Sequence, residues 1–238
     1  DRSPSRGLGD VYKRQAYTGT GSSNAVSGLG FKPDLVVIKN RSGTQGTKWT
    51  DSSRGVTKVL QSAVTNAEST DSNGLTAFGS DGFTVGSDAG YNGSSNNIIG
   101  WCWRANGGTT ASDSNGSITS TVQANTKSGF SIITYTGTGS NATIGHSLSA
   151  KPDFFIVKSR SGGTGRNWAV YHSSQGATKY VELDSNGPFY TSSLRWNDTE
   201  PTDSLISLGT TASVHANTEN FVCYAWHNVE GYSKFGLF

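Results

Sequence analysis

No methionine occurs in this chain, cysteine appears only twice and proline five times, and charged residues make up 15% of it. Each shortage excludes something. Cys102 and Cys223, with no partner set for a disulfide or a metal, read as free buried thiols in the apolar segments GWCW and FVCYAW. Aligning Trp103 with Trp226 leaves the two cysteines at non-equivalent positions. No run of 18 or more apolar residues is present, which argues against a membrane-spanning helix. The amino terminus shows no apolar h-region of a signal peptide. No amphipathic pattern of ordinary helix length appears either. What remains is 31 glycines with abundant Ser, Thr and Asn, punctuating short apolar runs, as in an all-β chain with many turns.

The stretch from Tyr17 to Trp49 returns as Tyr135 to Trp168. YTGTGSSN, FKPDLVVIKNRSG and KW in the first copy answer YTGTGSNA, AKPDFFIVKSRSGGTG and NW in the second. A spacing of roughly 119 residues is domain-sized, longer than a solenoid period of about 20–50, and predicts two related domains in tandem.

Residues 5–15 read SRGLGDVYKRQ, which resembles the translation of a sequencing adapter; GATGTGTATAAGAGACAG alone gives DVYKRQ. Residues 1–15 are therefore expected to be an adapter-derived scar outside the fold, on a fragment cut at both ends. Without their Arg2, Arg6, Lys13, Arg14, Asp1 and Asp10, 15 basic and 15 acidic residues remain. The mildly basic balance thus gives no reason to expect nucleic acid or anionic membrane as a partner. The domains expected are 16–108, clipped at its amino end and left with an unpaired sheet edge, and 109–238, which includes a Gly/Thr/Ser/Asp connector.

In the first domain the strand candidates are Leu35–Ile38, Val56–Val64 (with a short helix as the alternative), Leu75–Phe78, Phe83–Val85 and Asn97–Trp103. Asp81-Gly82 between two short apolar runs predicts a hairpin. NIIGWCW, apolar on both faces, predicts a central strand. In the second domain GSITSTVQAN, GFSIITYTG, Phe154–Val157, Trp168–Tyr171, Lys179–Leu183, Leu205–Leu208 and Phe221–Trp226 are the candidates. The fold class expected is all-β, two tandem antiparallel β-sandwiches, jelly-roll-like.

Few residues carry an obvious chemistry. Asp-Ser-Asn-Gly at Asp71, Asp113 and Asp184 starts like a calcium loop but lacks the later ligands, so plain turns are expected. His146, His172, His215 and His227 show no metal or triad spacing, and no G-x-S-x-G elbow accompanies His172-Ser173. Glu68, Glu182, Glu200, Glu219 and Glu230 form no recurrent pair of the kind glycoside hydrolysis needs. Lys39, Arg41 and Lys58 return as Lys158, Arg160 and Lys179; they read as strand-end cations with wet heads, or alternatively as a repeated polar pocket for a sugar. Trp49, Trp101, Trp103, Trp168 and Trp226 sit in apolar segments and read as core. Trp196, in the polar stretch SSLRWNDTEPTD, has little apolar company. With Arg195, Asn197 and Asp198 it reads as a platform for a sugar ring, or alternatively as a loop anchor. No catalytic residue, metal or cofactor is expected.

The combination YTGTG, KPD before an apolar strand, LRWNDTEPTDSLISLGT and EGYSKFG, across residues 16–238, resembles a family of repeat domains in tail and appendage proteins of marine bacteriophages. The first domain lacks the WNDT and EGYSKFG segments. The resemblance implies a virion structural module, with partners among other virion proteins and host surface glycans, in a homo-oligomeric (trimeric) fibre released by lysis. A ligand-free spacer or decoration domain, and after it a polysaccharide depolymerase, are the alternatives.

Overall fold

The computed structural model describes residues 12–236. They are almost all strand and turn, divided into two compact units: 12–64 with 68–108, and 109–236 with 65–67. Helix is limited to three single turns among the described residues. None of them is long and apolar enough to cross a membrane.

The amino-terminal unit contains β1 (Tyr12–Thr18), β2 (Asn24–Ser27), β3 (Leu35–Asn40), β4 (Lys48–Asp51), β5 (Lys58–Gln61), β6 (Ser69–Thr70), β7 (Leu75–Gly79), β8 (Gly82–Val85), α1 (Ala89–Asn92) and β9 (Asn97–Trp103). A six-stranded sheet in the order β1-β9-β3-β4-β5-β6 faces a three-stranded sheet, β2-β8-β7, all antiparallel. Val36, Ile38, Val59, Ile98 and Cys102 from the large sheet meet Val26, Leu75, Phe83 and Val85 from the small one, with Tyr91 of α1 at the margin. This alternation of inward apolar residues from two sheets is what makes a sandwich core.

The carboxy-terminal unit contains β10 (Ala111–Asp113), β11 (Ser120–Asn125), β12 (Phe130–Thr136), β13 (Ala142–Gly145), β14 (Phe154–Ser159), β15 (Ala169–His172), β16 (Lys179–Glu182), β17 (Tyr190–Thr191), α2 (Ser193–Trp196), β18 (Leu205–Leu208), α3 (Ala212–His215) and β19 (Asn220–Trp226). Its large sheet runs β10-β11-β12-β19-β14-β15-β16-β17 and faces the pair β13-β18. Ile133, Tyr135, Phe155, Val157, Tyr171, Phe221 and Cys223 pack there against Ile144, Ile206 and Leu208. From β12 to β17 the strand order is that of β1 to β6 in the other unit, and the registers agree: Tyr17 opposes Ile98 as Tyr135 opposes Phe221, and Leu35 opposes Trp103 as Phe154 opposes Trp226. The chain is thus an all-β protein of antiparallel sandwiches, as its composition predicts.

Several expectations need correction. Tyr12–Gln15, expected outside the fold, lie in β1, where they pair with Trp103, Cys102, Trp101 and Gly100. A ladder is made by backbone groups, so any extended, proline-free segment can complete an open strand edge. The rest of the adapter-like segment, residues 1–11, lies outside the described residues, as do Leu237 and Phe238 of the chain end. The Val56–Val64 strand shrinks to Lys58–Gln61, because Thr57 is left-handed (φ 64°) and breaks it. The β7–β8 hairpin is present, but Gly82 serves β2 rather than the turn: a Cβ there would lie 1.9 Å from the Val26 carbonyl. The sequence pattern gives no sign of β2 and β13, which read NAVS and ATIG and carry too little apolar pattern to stand out, nor of the short β4, β6, β10 and β17.

Candidate functional site

The recurrent motifs are framework. In both YTGTG segments the tyrosine hydroxyl donates across the sandwich to a backbone carbonyl of a one-turn helix: Tyr17 to Tyr91 O and Tyr135 to Val214 O, each at 2.6 Å. The first glycine lies against the chain that follows that helix. A Cβ on Gly19 would meet Gly93 O, and one on Gly137 would meet Ala216 O, both at 2.1 Å. The KPD aspartates knit three segments. Asp34 accepts from Ser52 Oγ, Ala105 N and Gly107 N. Asp153 accepts from Ser173 Oγ and Asn228 N.

Lys39 and Lys158 donate to backbone carbonyls. Lys39 Nζ donates to Gln45 O at 2.5 Å. Lys158, expected to keep a wet head, is fully buried: its Nζ donates to Arg166 O and stands 5.9 Å over the Trp168 ring. Burial pushes its ammonium down to about 8. The stem folds inward beneath the loop that follows β14, and two carbonyls, Arg166 O and the sequence-distant Thr65 O at 2.9 Å, replace water around the head.

Four of the five glutamates named above are committed as well. Glu68 and Asp51 hold Arg54, Glu182 holds Arg195, and Glu219 holds Arg166 and Ser159 Oγ. Glu200 accepts from Tyr171 Oη, Lys151 Nζ and the Ala177 amide. At the Asp-Ser-Asn-Gly segments, Asp71 and Asp113 accept the amide two residues on, as turn aspartates do, while Asp184 accepts from Trp168 N and Asn167 Nδ2. No group of three or more His, Cys, Asp or Glu is placed to hold a metal among the described residues. Both cysteines are free and buried, and burial alone pushes the Cys102 thiol up to about 12.

The predicted platform of Arg195, Trp196, Asn197 and Asp198 does not assemble. Ser192 caps α2 by accepting from Leu194 N, and the single turn carries Arg195 and Trp196 inward. Trp196 is 1% exposed, edge-on to Phe155 at 4.8 Å and to Tyr171 at 6.4 Å, with its Nε1 donating to Lys179 O. It is the loop anchor, because an indole ring edge gains more from a sandwich core than from water. Arg195 is 7% exposed and lies over the Tyr180 ring at 4.3 Å, with Glu182 and Thr211 as partners. Asn197 and Asp198 face solvent in left-handed conformation (φ 51° and 47°), and Asn141 Nδ2 donates to Asn197 Oδ1.

A different place in the carboxy-terminal unit has the shape of a site. Asn115, Ser147, Ser149, Asp203 and Ser204 line a polar cleft of about 250 Å3. Ser147 and Ser149 are both left-handed, at φ 53° and 58°, a conformation that costs a non-glycine residue about 1–3 kcal/mol and gathers at functional positions. Beneath them lies the buried Asp113, which accepts from Ser147 Oγ at 2.6 Å and from both nitrogens of Asn115. Burial raises its carboxyl, but those hydrogen bonds outweigh burial and hold it below the usual carboxylate range. Gly145 makes room, since a Cβ there would overlap the Asp113 carboxylate. His146, fully buried, donates from Nε2 to Thr202 O and accepts at Nδ1 from Leu148 N; burial lowers its pKa. Only the carboxylate of Asp113 and the Asp-Ser-Asn-Gly turn gave any sign of this place in the sequence. The left-handed serines had no signal.

Comparison with known proteins adds one finding. No curated protein and no solved structure matches the chain. A family model matches residues 8–238, a span that includes β1 and both sandwiches, and by that match the chain belongs to the family described as Domain of unknown function (DUF7483).

Proposed function

We propose that this chain is a structural module of a phage tail or fibre whose loops attach to host-surface glycans without turning them over. The virion part of the reading rests on the motif combination YTGTG, KPD, WNDT and EGYSKFG. The attachment part is carried by one observation: a mouth of hydroxyl, amide and carboxylate groups lies on the carboxy-terminal sandwich, with Ser147 and Ser149 in left-handed conformation. Sugars are recognised by such convergent donors and acceptors, and many weak copies along a fibre give useful avidity. The four glutamates Glu68, Glu182, Glu200 and Glu219 each hold a cation, which favours binding over hydrolysis.

A ligand-free spacer is the second reading, favoured by the structural employment of the recurrent tyrosines and aspartates. The test is an array of bacterial surface glycans probed with the full chain displayed multivalently. Selective, saturable binding is expected. Absence of binding at high loading would leave the spacer reading in place.

A further inference from the structure

The two units answer one structural question in different ways. In the amino-terminal unit the loop after β2 places Gly28 and Gly30 in left-handed conformation (φ 91° and 77°) around the buried Leu29. Their two amides converge on one carboxylate, Gly28 N on Asp81 Oδ2 at 3.0 Å and Gly30 N on Asp81 Oδ1 at 2.5 Å. These amides hold the Asp81 carboxyl below its usual range, Gly30 contributing most. Asp81 immediately precedes β8, which pairs with β2.

In the carboxy-terminal unit the loop after β13 has the same left-handed, buried, left-handed sequence at Ser147, Leu148 and Ser149. One added residue, His146, takes the Leu148 amide. The residue immediately before β18, the partner of β13, is Ser204. A serine therefore stands where the other unit has its chelating carboxylate, and the amides of Ser147 and Ser149 donate to no acceptor among the described residues. Both serines line the cleft.

We infer that this cleft is a subsite for a single neutral sugar ring, whose hydroxyl oxygens take the place that the Asp81 carboxylate occupies in the amino-terminal unit. Ser147 N and Ser149 N donate to the sugar, and Asp203, Ser204 and Asn115 accept its hydroxyl hydrogens. A volume of about 250 Å3 falls below the usual range for drug-sized ligands, roughly 300–1,000 Å3, and suits one ring rather than a buried chain. An acidic sugar is disfavoured: the lining includes Asp203 and rests on Asp113, and it contains no Lys or Arg. The ligand class rests on the attachment reading above; the site rests on the comparison of the two loops.

The test is a 15N–1H titration of the full chain with the methyl glycosides of glucose, galactose and mannose at millimolar concentration. Saturating shifts are expected at the Ser147, Ser149 and Asn115 amides with at least one of them, and none at Gly28 or Gly30. Ser204→Asp, which restores the internal carboxylate, should weaken that binding at least tenfold while melting at or above the parent temperature. Should Ser204→Asp fail to fold, the exposed Asp203→Asn should give a several-fold loss instead. Absence of saturating shifts at these amides with all three glycosides, or unchanged binding by the folded Ser204→Asp chain, overturns the subsite. Array binding retained by Ser204→Asp would remove the subsite and leave the attachment reading; shifts at these amides in a chain that binds no array glycan would do the reverse.

Discussion

Trp196 is the residue where chemistry and position part company. Its neighbours Arg195, Asn197 and Asp198 are polar, yet its ring contacts Phe155 and Tyr171 and its one donor is satisfied by Lys179 O. Truncating a buried indole removes about 3–5 kcal/mol. Trp196→Ala is therefore expected to lower the unfolding free energy of the carboxy-terminal unit by that amount, which a urea titration followed by fluorescence would read as a lower midpoint. A Trp196→Ala chain as stable as the parent would contradict the anchor. Tyr135→Phe tests a smaller effect, the 2.6 Å bond to Val214 O in a fully buried setting. Leaving that carbonyl without its donor should cost about 1–3 kcal/mol. The same change at Tyr17 should be milder, because Tyr17 is only part-buried.

At the scale of the element, the one-turn helices α1 and α3 are too short to hold themselves together. Their stability comes from the tyrosine hydroxyl and from the close passage of Gly19 and Gly137. Gly137→Ala should therefore destabilise by several kcal/mol, since backbone rather than a flexible side chain blocks the new methyl. Thermal melting of that variant, compared with Gly236→Ala, where nothing lies within 4 Å, separates the clash from a general glycine effect. β1 invites a second experiment. Among the described residues it ends its sheet, whereas β12 is followed by β11 and β10. A chain starting at Ala16 loses the pairs from Tyr12↔Trp103 to Gln15↔Gly100, together with the 5.0 Å ring contact of Tyr12 with Trp103. It should melt lower than the full chain and associate more readily through the bared edge of β9, measured by calorimetry and light scattering. Equal melting would mean that those four residues add nothing to the fold. The KPD and YTGTG words were visible as recurrences, but their role was not, because the tyrosine and the carbonyl it reaches are 79 residues apart in one unit and 74 in the other.

For the molecule as a whole, pH dependence follows from buried imidazoles. Burial lowers the pKa of both His146 and His215. The carboxylates of Asp113 and Asp203 oppose this at His146, and His227 adds to it. A histidine with a depressed folded pKa binds its proton more readily in the unfolded chain, so stability rises with pH across that interval. It is fully present above the ordinary imidazole value of about 6.5 and is lost as pH falls from there toward the folded values. Melting temperature should thus drop between about pH 7 and 5, before the carboxylates titrate, and His146→Gln with His215→Gln should flatten that limb. An unchanged limb in the double variant would sink the assignment.

The residue pattern by itself determined the all-β class and most of the longer strands, because short apolar runs between turn residues constrain backbone locally wherever they occur. It also determined that Cys102 and Cys223 would be free buried thiols, since they lie in apolar strand segments with no partner set for a disulfide or a metal. Only the tertiary structure decided that Trp196 and Lys158 turn inward and that Glu182 and Arg195 neutralise each other. It alone decided that Ser147 and Ser149 take up the left-handed positions of Gly28 and Gly30. Those outcomes depend on which strands become neighbours and which carbonyl or carboxylate lies across the sheet. That long-range geometry, not local preference, sets where a polar group finds its partner.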